Sequence, residues 1–298
     1  MSKVGFIGLG IMGKPMAHNL LKAGVSIVVN DIAQDAVDEL VSAGAESAAY
    51  SDIGRMCDVV ITILPNGSIV QQVLFGAGGV AEGLSKGKLV CDMSSVTPVE
   101  SKLCGKKLAE IGVGFIDAPV SGGEPGAIAG TLAIMCGGEE ADFKRMEPIF
   151  SAIGSSWLLI GPAGSGSVTK LANQIIVNLN IAAVSEALVL ATKAGADPMK
   201  VYKAIRGGLA GSAVLDAKAP MMCARNFTPG GKISINHKDI KNVLATAHEI
   251  DVPLPFTSQL FEVQQTLKAH GHFNDDHAGY VQYFEALAGV EVKSEETK

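Results

Sequence analysis

The chain has 298 residues, of which 48% are hydrophobic and 18% are charged, and its formal net charge is −6. This length allows one large domain or two ordinary ones, each with a well-filled core. The acidic balance, without a basic cluster, argues against a nucleic-acid partner. The five cysteines are odd in number, widely spaced and without a CxxC pair. We interpret them as reduced thiols and, seeing no targeting segment, expect a cytoplasmic protein.

The first element is a short apolar strand over residues 3–8, followed at once by a glycine-rich turn. A helix over 14–22 and a second strand over 26–30 come next, and Asp31 ends that strand. This order of strand, turn, helix and strand is the context in which a GxGxxG sequence binds a dinucleotide. The predicted cofactor residues of the turn are Gly8, Leu9, Gly10, Ile11, Met12 and Gly13.

Each glycine of the turn has its own expected role. Gly8 would make the tight turn, Gly10 would let the backbone approach a pyrophosphate, and Gly13 would allow the helix to pack closely on the strand. The Asp31 carboxylate could accept hydrogen bonds from both hydroxyls of an adenosine ribose, and it would repel a 2′-phosphate. We therefore predict NAD as the cofactor, with NADH preferred over NADPH. The alternative is a glycine-rich turn that merely packs a helix on a sheet.

The rest of the first half alternates apolar strands with amphipathic helices. Near-continuous apolar strands of this kind indicate a largely parallel sheet with both faces covered by helices. The sequence therefore predicts an α/β fold, with an N-terminal Rossmann-type doubly wound sheet over residues 1–162. The further strands are expected over 59–64, 88–93, 115–118 and 131–136, and helices over 99–111 and 141–153.

The pattern changes near residue 161. Residues 165–194 form a long helical run without proline, about 45 Å in length at 1.5 Å per residue. The run is apolar over most of its circumference, so we expect a second subunit or domain to bury it. Because Asn178 and Asn180 interrupt it, we expect no membrane span. Only helical patterns follow, which predicts an all-α C-terminal domain over 163–291 and a flexible tail over 292–298.

Lys170 is the leading candidate for chemistry. It lies near the start of the long helix, and Asn173 and Gln174 follow three and four positions later, so one helical face can present an ammonium and an amide together. A partly buried lysine near a helix N-terminus could give or take a proton near neutral pH. By spacing alone, an ordinary solvated lysine is the simpler interpretation.

Two further segments follow strand ends. Ser121, Gly122 and Gly123 offer a hydroxyl and backbone N–H groups to a small anion. Residues 94–98 offer hydroxyls at the sheet edge where ligands of open α/β folds bind. Each segment could also be a plain turn or helix cap. The histidines and aspartates of residues 270–277 match no standard metal-ligand spacing, so we expect an exposed loop there and no metal.

Taken in chain order, these motifs resemble the β-hydroxyacid dehydrogenase family. Residues 5–13 are similar to its cofactor signature, 117–123 to its substrate-binding segment, and 166–170 to its catalytic GxxxK. Lys238-Asp239 is similar to the C-terminal Lys-Asp pair of the family. The resemblance extends over most of the chain, from residue 3 to about residue 285.

The resemblance implies a reversible hydride transfer between a nicotinamide and a small hydroxyacid or semialdehyde, in a dimer or tetramer. It makes Lys170 the general acid and base. It assigns substrate binding to Ser121, Gly122, Gly123, Asn173 and Gln174. It assigns cofactor binding to the glycine-rich turn, Asp31, Leu64, Pro65, Thr97 and Lys238.

Within the family, residues 170–174 and 206–220 are most similar to the branch that reduces tartronate semialdehyde (2-hydroxy-3-oxopropionate) to glycerate in glyoxylate metabolism. Much of the family has Asn four positions after the catalytic lysine, whereas this chain has Gln174 with Asn173 beside it, so either amide could contact the substrate. A sister activity on 3-hydroxyisobutyrate, succinic semialdehyde or glyoxylate is the first alternative. A non-catalytic dinucleotide-binding or imine-reducing homologue is the second, and Lys170 argues against loss of catalysis.

Overall fold

The computed structural model describes residues 3–294, and the chain divides into two compact units between Lys170 and Leu171. The first, the sheet unit, holds nine strands within the described residues. They are β1 Val4–Ile7, β2 Ile27–Asn30, β3 Glu46–Ser47, β4 Val59–Thr62, β5 Leu89–Asp92, β6 Gly114–Asp117, β7 Val120–Ser121, β8 Leu132–Gly138 and β9 Gly154–Gly161. Its helices are α1 Gly13–Lys22, α2 Gln34–Ser42, α3 Tyr50–Met56, α4 Gly67–Phe75, α5 Pro98–Glu110, α6 Gly123–Ala129 and α7 Glu140–Ile153.

The strand order is β3-β2-β1-β4-β5-β6-β8-β7, with β9 beside β8. Strands β1 to β6 pair in parallel, whereas β8 runs antiparallel to β6 and β7. The chain order reverses on either side of β1, which is where open parallel sheets form a crevice for a dinucleotide. The topology therefore predicts a dinucleotide site at the loops that follow β1 and β4.

Alternate residues of the central strands pack into two separate cores. Phe6 and Ile61 point into one core, and their neighbours Ile7 and Val60 point into the other. All four residues of β1, β4 and β5 are buried, because helices cover both faces of the sheet. The predicted Rossmann-type doubly wound sheet is confirmed.

Strand β9 and the short helix α6 have no counterpart among the predicted elements. β9 pairs with β8 at the margin of the sheet, and Leu158 in its middle is 68% exposed. The run Trp157-Leu158-Leu159-Ile160 carried a strand signal. This run is short, and the strand that pairs with it, β8, lies about twenty residues earlier in the chain. Only the folded sheet therefore identifies β9 as a strand.

The second, helical unit begins at Leu171 and is built from helices and turns. Its core is centred on the fully buried Tyr280. The predicted all-α C-terminal region with a long linking helix is confirmed. The helices are α8 Ser165–Lys193, α9 Pro198–Ile205, α10 Ala213–Cys223, α11 Ile233–Glu249, α12 Pro255–Ala269 and α13 Val281–Ala288.

Helix α8 corrects the expectation about membrane spans. Within residues 3–294 it is the one helix long and apolar enough, by length and composition, to cross a membrane. A single helix of this kind is a weak indication, because the core helix of a globular protein passes the same test. Asn178 and Ser185 on α8 are fully buried and hydrogen-bonded inside the helical unit. These contacts are typical of a core helix.

The two compact units divide after Lys170, because the start of α8 packs in the sheet unit, and the domain boundary at residue 162 stays a prediction. The predicted flexible tail needs correction at its start. Val292 is fully buried, and its N–H donates to Glu285 Oε1 over 2.7 Å. Ser294 donates from its backbone to Cys223 and from its hydroxyl to Asp197. Residues 295–298 of the predicted tail lie outside the described residues.

Residues 270–277 are not the simple exposed loop that we expected. Asp276 is fully buried, accepts the backbone N–H groups of Gly230 and Gly231, and pairs with Lys218 over 2.9 Å. Burial, together with the nearby Lys218 charge, lowers the pKa of His277 to about 4. This polar segment therefore fastens a loop to the helical core. In the described part of the chain, no group of three or more His, Cys, Asp or Glu side chains could hold a metal ion.

Candidate active site

The glycine-rich turn joins β1 to α1 with the geometry that a dinucleotide cradle requires. Gly8 adopts φ +102°, where only glycine is unstrained, and a Cβ there would clash with the Ile63 carbonyl oxygen. A Cβ on Gly13 would clash with the Gly8 carbonyl oxygen, so the helix packs tightly on the strand. A Cβ on Gly10 would meet no heavy atom within 4 Å. The turn is thus closed at Gly8 and Gly13 and open at Gly10, where a pyrophosphate would approach.

Asp31 lies at the end of β2 and holds the glycine-rich turn. Its Oδ2 accepts the Leu9 N–H over 2.5 Å, and its Oδ1 accepts the Ala33 N–H over 2.7 Å. A carboxylate has about four acceptor positions, so both oxygens can still accept ribose hydroxyls. Ile32, beside it, is 97% exposed and brings no positive charge to the position. The acceptor oxygens of Asp31 and the absence of a positive charge at Ile32 fit the adenosine ribose of a dinucleotide. Sequence reasoning did not predict that Asp31 also holds the glycine-rich turn.

The loops after β4 and β5 are tied together. The Leu64 N–H donates to Ser94 Oγ over 2.8 Å, and Pro65 follows it in an exposed position. Thr97 is the N-cap of α5, and its side chain and that of Glu100 form a reciprocal capping box. The Thr97 hydroxyl therefore has a clear structural task. The cofactor roles of Leu64, Pro65 and Thr97 stay predictions.

Asp92 is the buried centre of these loops. Its Oδ1 accepts the hydroxyls of Thr62 and Ser94 over 2.8 and 2.5 Å, and also the Ser94 N–H. Its Oδ2 is buried without a hydrogen-bond partner. Burial raises the pKa of Asp92 from the ordinary 3.8 to about 6, although the bonds from Ser94 and Thr62 oppose the shift.

This raised pKa gives a testable dependence of stability on pH. A carboxyl with a higher pKa when folded binds its proton more tightly in the native state, so stability falls as pH rises from 3.8 towards about 6. We expect Asp92→Asn to flatten the unfolding free energy over this interval and to raise it at pH 7 relative to wild type. Urea unfolding across the pH range measures this. Exposed Asp35→Asn is the control, and a slope unchanged in Asp92→Asn would contradict the assignment.

Asp117, at the end of β6, anchors the start of helix α8. Its two carboxylate oxygens accept the N–H groups of Gly164 and Ser167, each over 2.7 Å. Ser167 Oγ in turn lies 2.8 Å from Ser101 Oγ on α5. Burial raises the pKa of Asp117, and the hydrogen bonds from Gly164 and Ser167 lower it in part. Asp117 thereby fixes the turn of α8 that precedes Lys170.

Lys170 points from α8 to the strand β7. Its half-buried Nζ donates to the Val120 carbonyl oxygen over 2.9 Å. Ser121 is the next residue, and Gly122 and Gly123 follow with φ of +139° and +61°. These left-handed conformations expose the backbone of the segment, at the start of α6. The structure therefore brings the predicted acid/base and the predicted carboxylate-binding segment together, although fifty residues separate them.

The two amides that follow Lys170 on α8 have different surroundings within the helical unit. Gln174 is 6% exposed, and its Nε2 donates to Asp239 Oδ2 over 2.6 Å. Asn173 is partly exposed, and its Nδ2 donates to Gln174 Oε1 over 3.0 Å. Lys238 Nζ lies 3.0 Å from Asp239 Oδ1. Of the two amides, Asn173 is therefore the better candidate to contact a substrate.

Sequence reasoning gave no individual role to three carboxylates: Asp92 and Asp117, which hold loops of the sheet unit, and Asp239 in the helical unit. Asp117 was noted only as the first residue of the 117–123 segment. Asp92 and Asp117 lie at the carboxyl ends of β5 and β6, at paired positions in the sheet. An acidic residue at the end of an otherwise apolar strand, as in β5 and β6, could have indicated these two positions. Asp239 was noted only as half of the Lys-Asp pair. Apart from Ser94, which is two residues from Asp92, the hydrogen-bond partners described above lie 30 to 65 residues away in sequence, and no local pattern predicts them.

Comparison with known proteins places both units of the chain in one family. The model of the NAD binding domain of 6-phosphogluconate dehydrogenase matches residues 3–161. The model described as NAD-binding of NADP-dependent 3-hydroxyisobutyrate dehydrogenase matches residues 164–284. The 2-hydroxy-3-oxopropionate reductase of Escherichia coli K12 is 45% identical over 287 residues, which cover 96% of this chain and 98% of that protein.

Other relatives act on different molecules, according to their names. The 2-(hydroxymethyl)glutarate dehydrogenase of Eubacterium barkeri is 37% identical, with 97% of each chain covered. The solved 3-hydroxyisobutyrate dehydrogenase of Mycobacterium tuberculosis, with L-serine, has a TM-score of 0.88 at 26% identity and covers 95% of this chain and 99% of that one. The similarity in sequence and fold extends over both units, and so the chain belongs to the β-hydroxyacid dehydrogenase family of nicotinamide-dependent oxidoreductases.

Proposed function

We propose that this protein reduces 2-hydroxy-3-oxopropionate to glycerate with NADH, reversibly, with Lys170 as the general acid and base. The observation that carries the proposal is the position of the Lys170 ammonium, 2.9 Å from the Val120 carbonyl oxygen and next to the Ser121–Gly123 segment. The 45% identity to a 2-hydroxy-3-oxopropionate reductase supports this choice of substrate within the family.

In the proposed reaction, bound NADH supplies the hydride that reduces the aldehyde carbon. Lys170 donates a proton to the oxygen of that aldehyde, and it takes the proton back in the reverse direction. The Val120 carbonyl holds the ammonium in place. The Ser121 hydroxyl and the N–H groups of Gly122 and Gly123 would hold the substrate carboxylate by charge-assisted hydrogen bonds. Asn173 would accept a hydrogen bond from the substrate hydroxyl.

Steady-state kinetics with a panel of aldehydes tests this proposal. We expect kcat/KM for 2-hydroxy-3-oxopropionate to exceed the values for methylmalonate semialdehyde, succinic semialdehyde and glyoxylate by about tenfold or more, which equals about 1.4 kcal/mol in transition-state binding. A higher value for another of these aldehydes would assign the protein to a sister activity. Loss of turnover with all of them, but with NADH still bound, would favour the imine-reducing or non-catalytic alternative.

The preference for NADH depends on Asp31. A carboxylate that accepts ribose hydroxyls would repel a 2′-phosphate, so we expect wild type to favour NADH by about tenfold or more in kcat/KM. Asp31→Asn removes the charge and keeps one acceptor oxygen for the Leu9 and Ala33 N–H groups, which have two in wild type. The preference should therefore fall about tenfold, and Tm should fall by the loss of one hydrogen bond only. Asp31→Ala also loses that anchor, so its affinity for both cofactors should fall. Equal use of NADH and NADPH by wild type would refute the argument.

The proposal includes a cytoplasmic homo-oligomer, either a dimer or a tetramer. Several large apolar side chains of α8 are exposed on the isolated chain, among them Ile176 at 68% and Leu190 at 72%. Exposed apolar residues on a long helix favour burial by a second subunit. Light scattering of the purified protein would measure its molar mass.

A further inference from the structure

In the sheet unit, one hydroxyl links a buried carboxylate at the end of β5 to the backbone of the loop after β4. Ser94 Oγ donates to Asp92 Oδ1 over 2.5 Å, and it accepts the Leu64 N–H over 2.8 Å. Asp92 and Ser94 are each 1% exposed, so water competes little for these bonds. We call Asp92, the Ser94 hydroxyl and the Leu64 N–H the loop strut.

The direction of each bond in the loop strut is fixed, because backbone N–H groups can only donate. Ser94 Oγ therefore accepts from Leu64, and its single hydrogen is left for Asp92 Oδ1. The same Oδ1 atom accepts the Ser94 N–H and the Thr62 hydroxyl. Without the carboxylate oxygen, the Ser94 hydroxyl would lose the acceptor that orients it. Without that hydroxyl, the Leu64 N–H would lose the acceptor that holds it.

The segment that the loop strut holds packs against the glycine-rich turn. A Cβ on Gly8 would overlap the Ile63 carbonyl oxygen and would lie 3.2 Å from Leu64 Cδ2. A Cβ on Gly13 would lie 2.8 Å from Ile63 Cγ2. Asp31 holds the same turn from the side of β2. The two strands that flank β1 therefore each lead to one support of the turn.

The strand order places the two halves of a dinucleotide over different supports. Asp31, after β2, is the expected partner of the adenosine ribose, and the turn after β1 is the expected pyrophosphate cradle. Because β4 and β2 lie on opposite sides of β1, a dinucleotide in this crevice extends its nicotinamide half towards the loop after β4. The loop strut thus supports the nicotinamide side, where Leu64 and Pro65 are predicted cofactor residues.

We propose that Asp92 is a positioning residue for the cofactor: through Ser94 it fixes the backbone at Leu64 and so shapes the part of the crevice that receives the nicotinamide half. This inference rests on the proposed function, which takes NADH as the cofactor. Asp92 need not touch NADH, because it acts through the Ser94 hydroxyl. Loss of the loop strut should therefore weaken contacts to the nicotinamide half and spare those to the adenosine half.

Ser94→Ala and Thr62→Val form a matched pair of variants. Each removes one hydroxyl that donates to Asp92 Oδ1. Ser94→Ala also breaks the link to the Leu64 N–H, whereas Thr62→Val leaves that link in place. A difference between the two variants therefore reports the loop strut itself, and not the loss of any buried hydrogen bond.

Asp92→Ala and Asp92→Asn test the carboxylate. Alanine offers no acceptor to the Ser94 hydroxyl, so the loop strut is broken at its base. Asparagine keeps one acceptor oxygen. Because the Ser94 N–H can only donate, the new amide should place this oxygen at the position of Oδ1, which preserves the loop strut.

The readout is the half-site ratio, which we define as the Kd for NADH divided by the Kd for ADP, both from titration calorimetry. ADP carries the adenosine ribose and both phosphates but no nicotinamide. We expect Ser94→Ala and Asp92→Ala to raise this ratio by about fivefold or more, and Thr62→Val and Asp92→Asn to leave it within about twofold of wild type. A merely structural defect would weaken both ligands alike. An unchanged ratio in Ser94→Ala, or an equal rise in Thr62→Val, overturns the proposal.

Hydrogen exchange of the Leu64 N–H gives a readout that needs no ligand. We expect this amide to exchange about tenfold faster in Ser94→Ala and Asp92→Ala, and at the wild-type rate in Thr62→Val and Asp92→Asn. The same exchange rate in Ser94→Ala as in wild type would show that the loop strut does not hold the loop, and the proposal would fail.

Failure of the proposed function is seen separately, in wild type alone, as preference for another aldehyde or for NADPH. A different aldehyde leaves the half-site ratio as defined. If wild type prefers NADPH, the ratio of the Kd for NADPH to the Kd for adenosine 2′,5′-bisphosphate supports or overturns the role of Asp92 in the same way.

Discussion

Replacing Lys170 with alanine is expected to lower kcat by about 10³-fold while the Kd for NADH stays within about twofold of wild type. A positioned proton donor contributes about 10² to 10⁴ in rate, and the proposed mechanism gives Lys170 this role. Loss of a hydrogen bond typically costs about 1 kcal/mol of stability, so the variant should fold.

Two further variants separate proton transfer from other effects of the substitution. Lys170→Met keeps an unbranched side chain that fills similar space, and its kcat should fall as far as that of Lys170→Ala. Lys144→Ala removes a lysine from the exposed surface of α7, where it pairs with Glu140, and should leave kcat unchanged. Stopped-flow fluorescence of bound NADH gives Kd, and nicotinamide absorbance gives kcat. Turnover by Lys170→Ala at the wild-type rate would remove Lys170 from the mechanism.

The second large effect is expected from Gly13→Ala. A methyl group there would overlap the Gly8 carbonyl oxygen and would lie 2.8 Å from Ile63 Cγ2, so α1 would have to move away from the sheet. Overpacking of this kind costs about 1–3 kcal/mol or more, which corresponds to a Tm lower by roughly 5–10 °C in a protein of this size. Differential scanning calorimetry without cofactor measures the change.

Gly10→Ala is the matched control in the same turn. Its added methyl would meet no heavy atom within 4 Å, so Tm without cofactor should be unchanged. The same methyl would stand where the backbone has to approach a pyrophosphate, so the Kd for NADH should rise by about tenfold or more. If Gly10→Ala bound NADH as tightly as wild type, this turn would not be the pyrophosphate cradle. The pair therefore separates a glycine needed for folding from one needed for the ligand.

In each unit, a buried or partly buried carboxylate holds a segment that carries predicted site residues. Asp31 holds the glycine-rich turn, and Asp117 holds the first turn of α8. In the helical unit, Asp239 directs the Gln174 amide. Each is held in one orientation by backbone or amide N–H donors. Variation at such positions should change affinity and specificity even though the substituted residue need not touch the substrate.

The sequence by itself determined the fold class and the nature of the cofactor site. Near-continuous apolar runs in short strands and the change to a helical pattern after residue 161 are local signals, as is the glycine spacing from Gly8 to Gly13. These features depend on neighbouring residues, so one chain suffices to predict them. The order of motifs up to Lys238-Asp239 likewise indicated the family.

Only the tertiary structure decided how the candidate residues are held. The contact of Lys170 with Val120 spans fifty residues, and that of Gln174 with Asp239 spans sixty-five. Packing determined that Gln174 is buried while Asn173 is partly exposed, and it placed Val292 in the core instead of in a flexible tail. In a helix, positions three and four residues after Lys170 both lie near the face of that lysine, so spacing alone does not distinguish Asn173 from Gln174. Their surroundings differ because distant elements cover one of them and not the other.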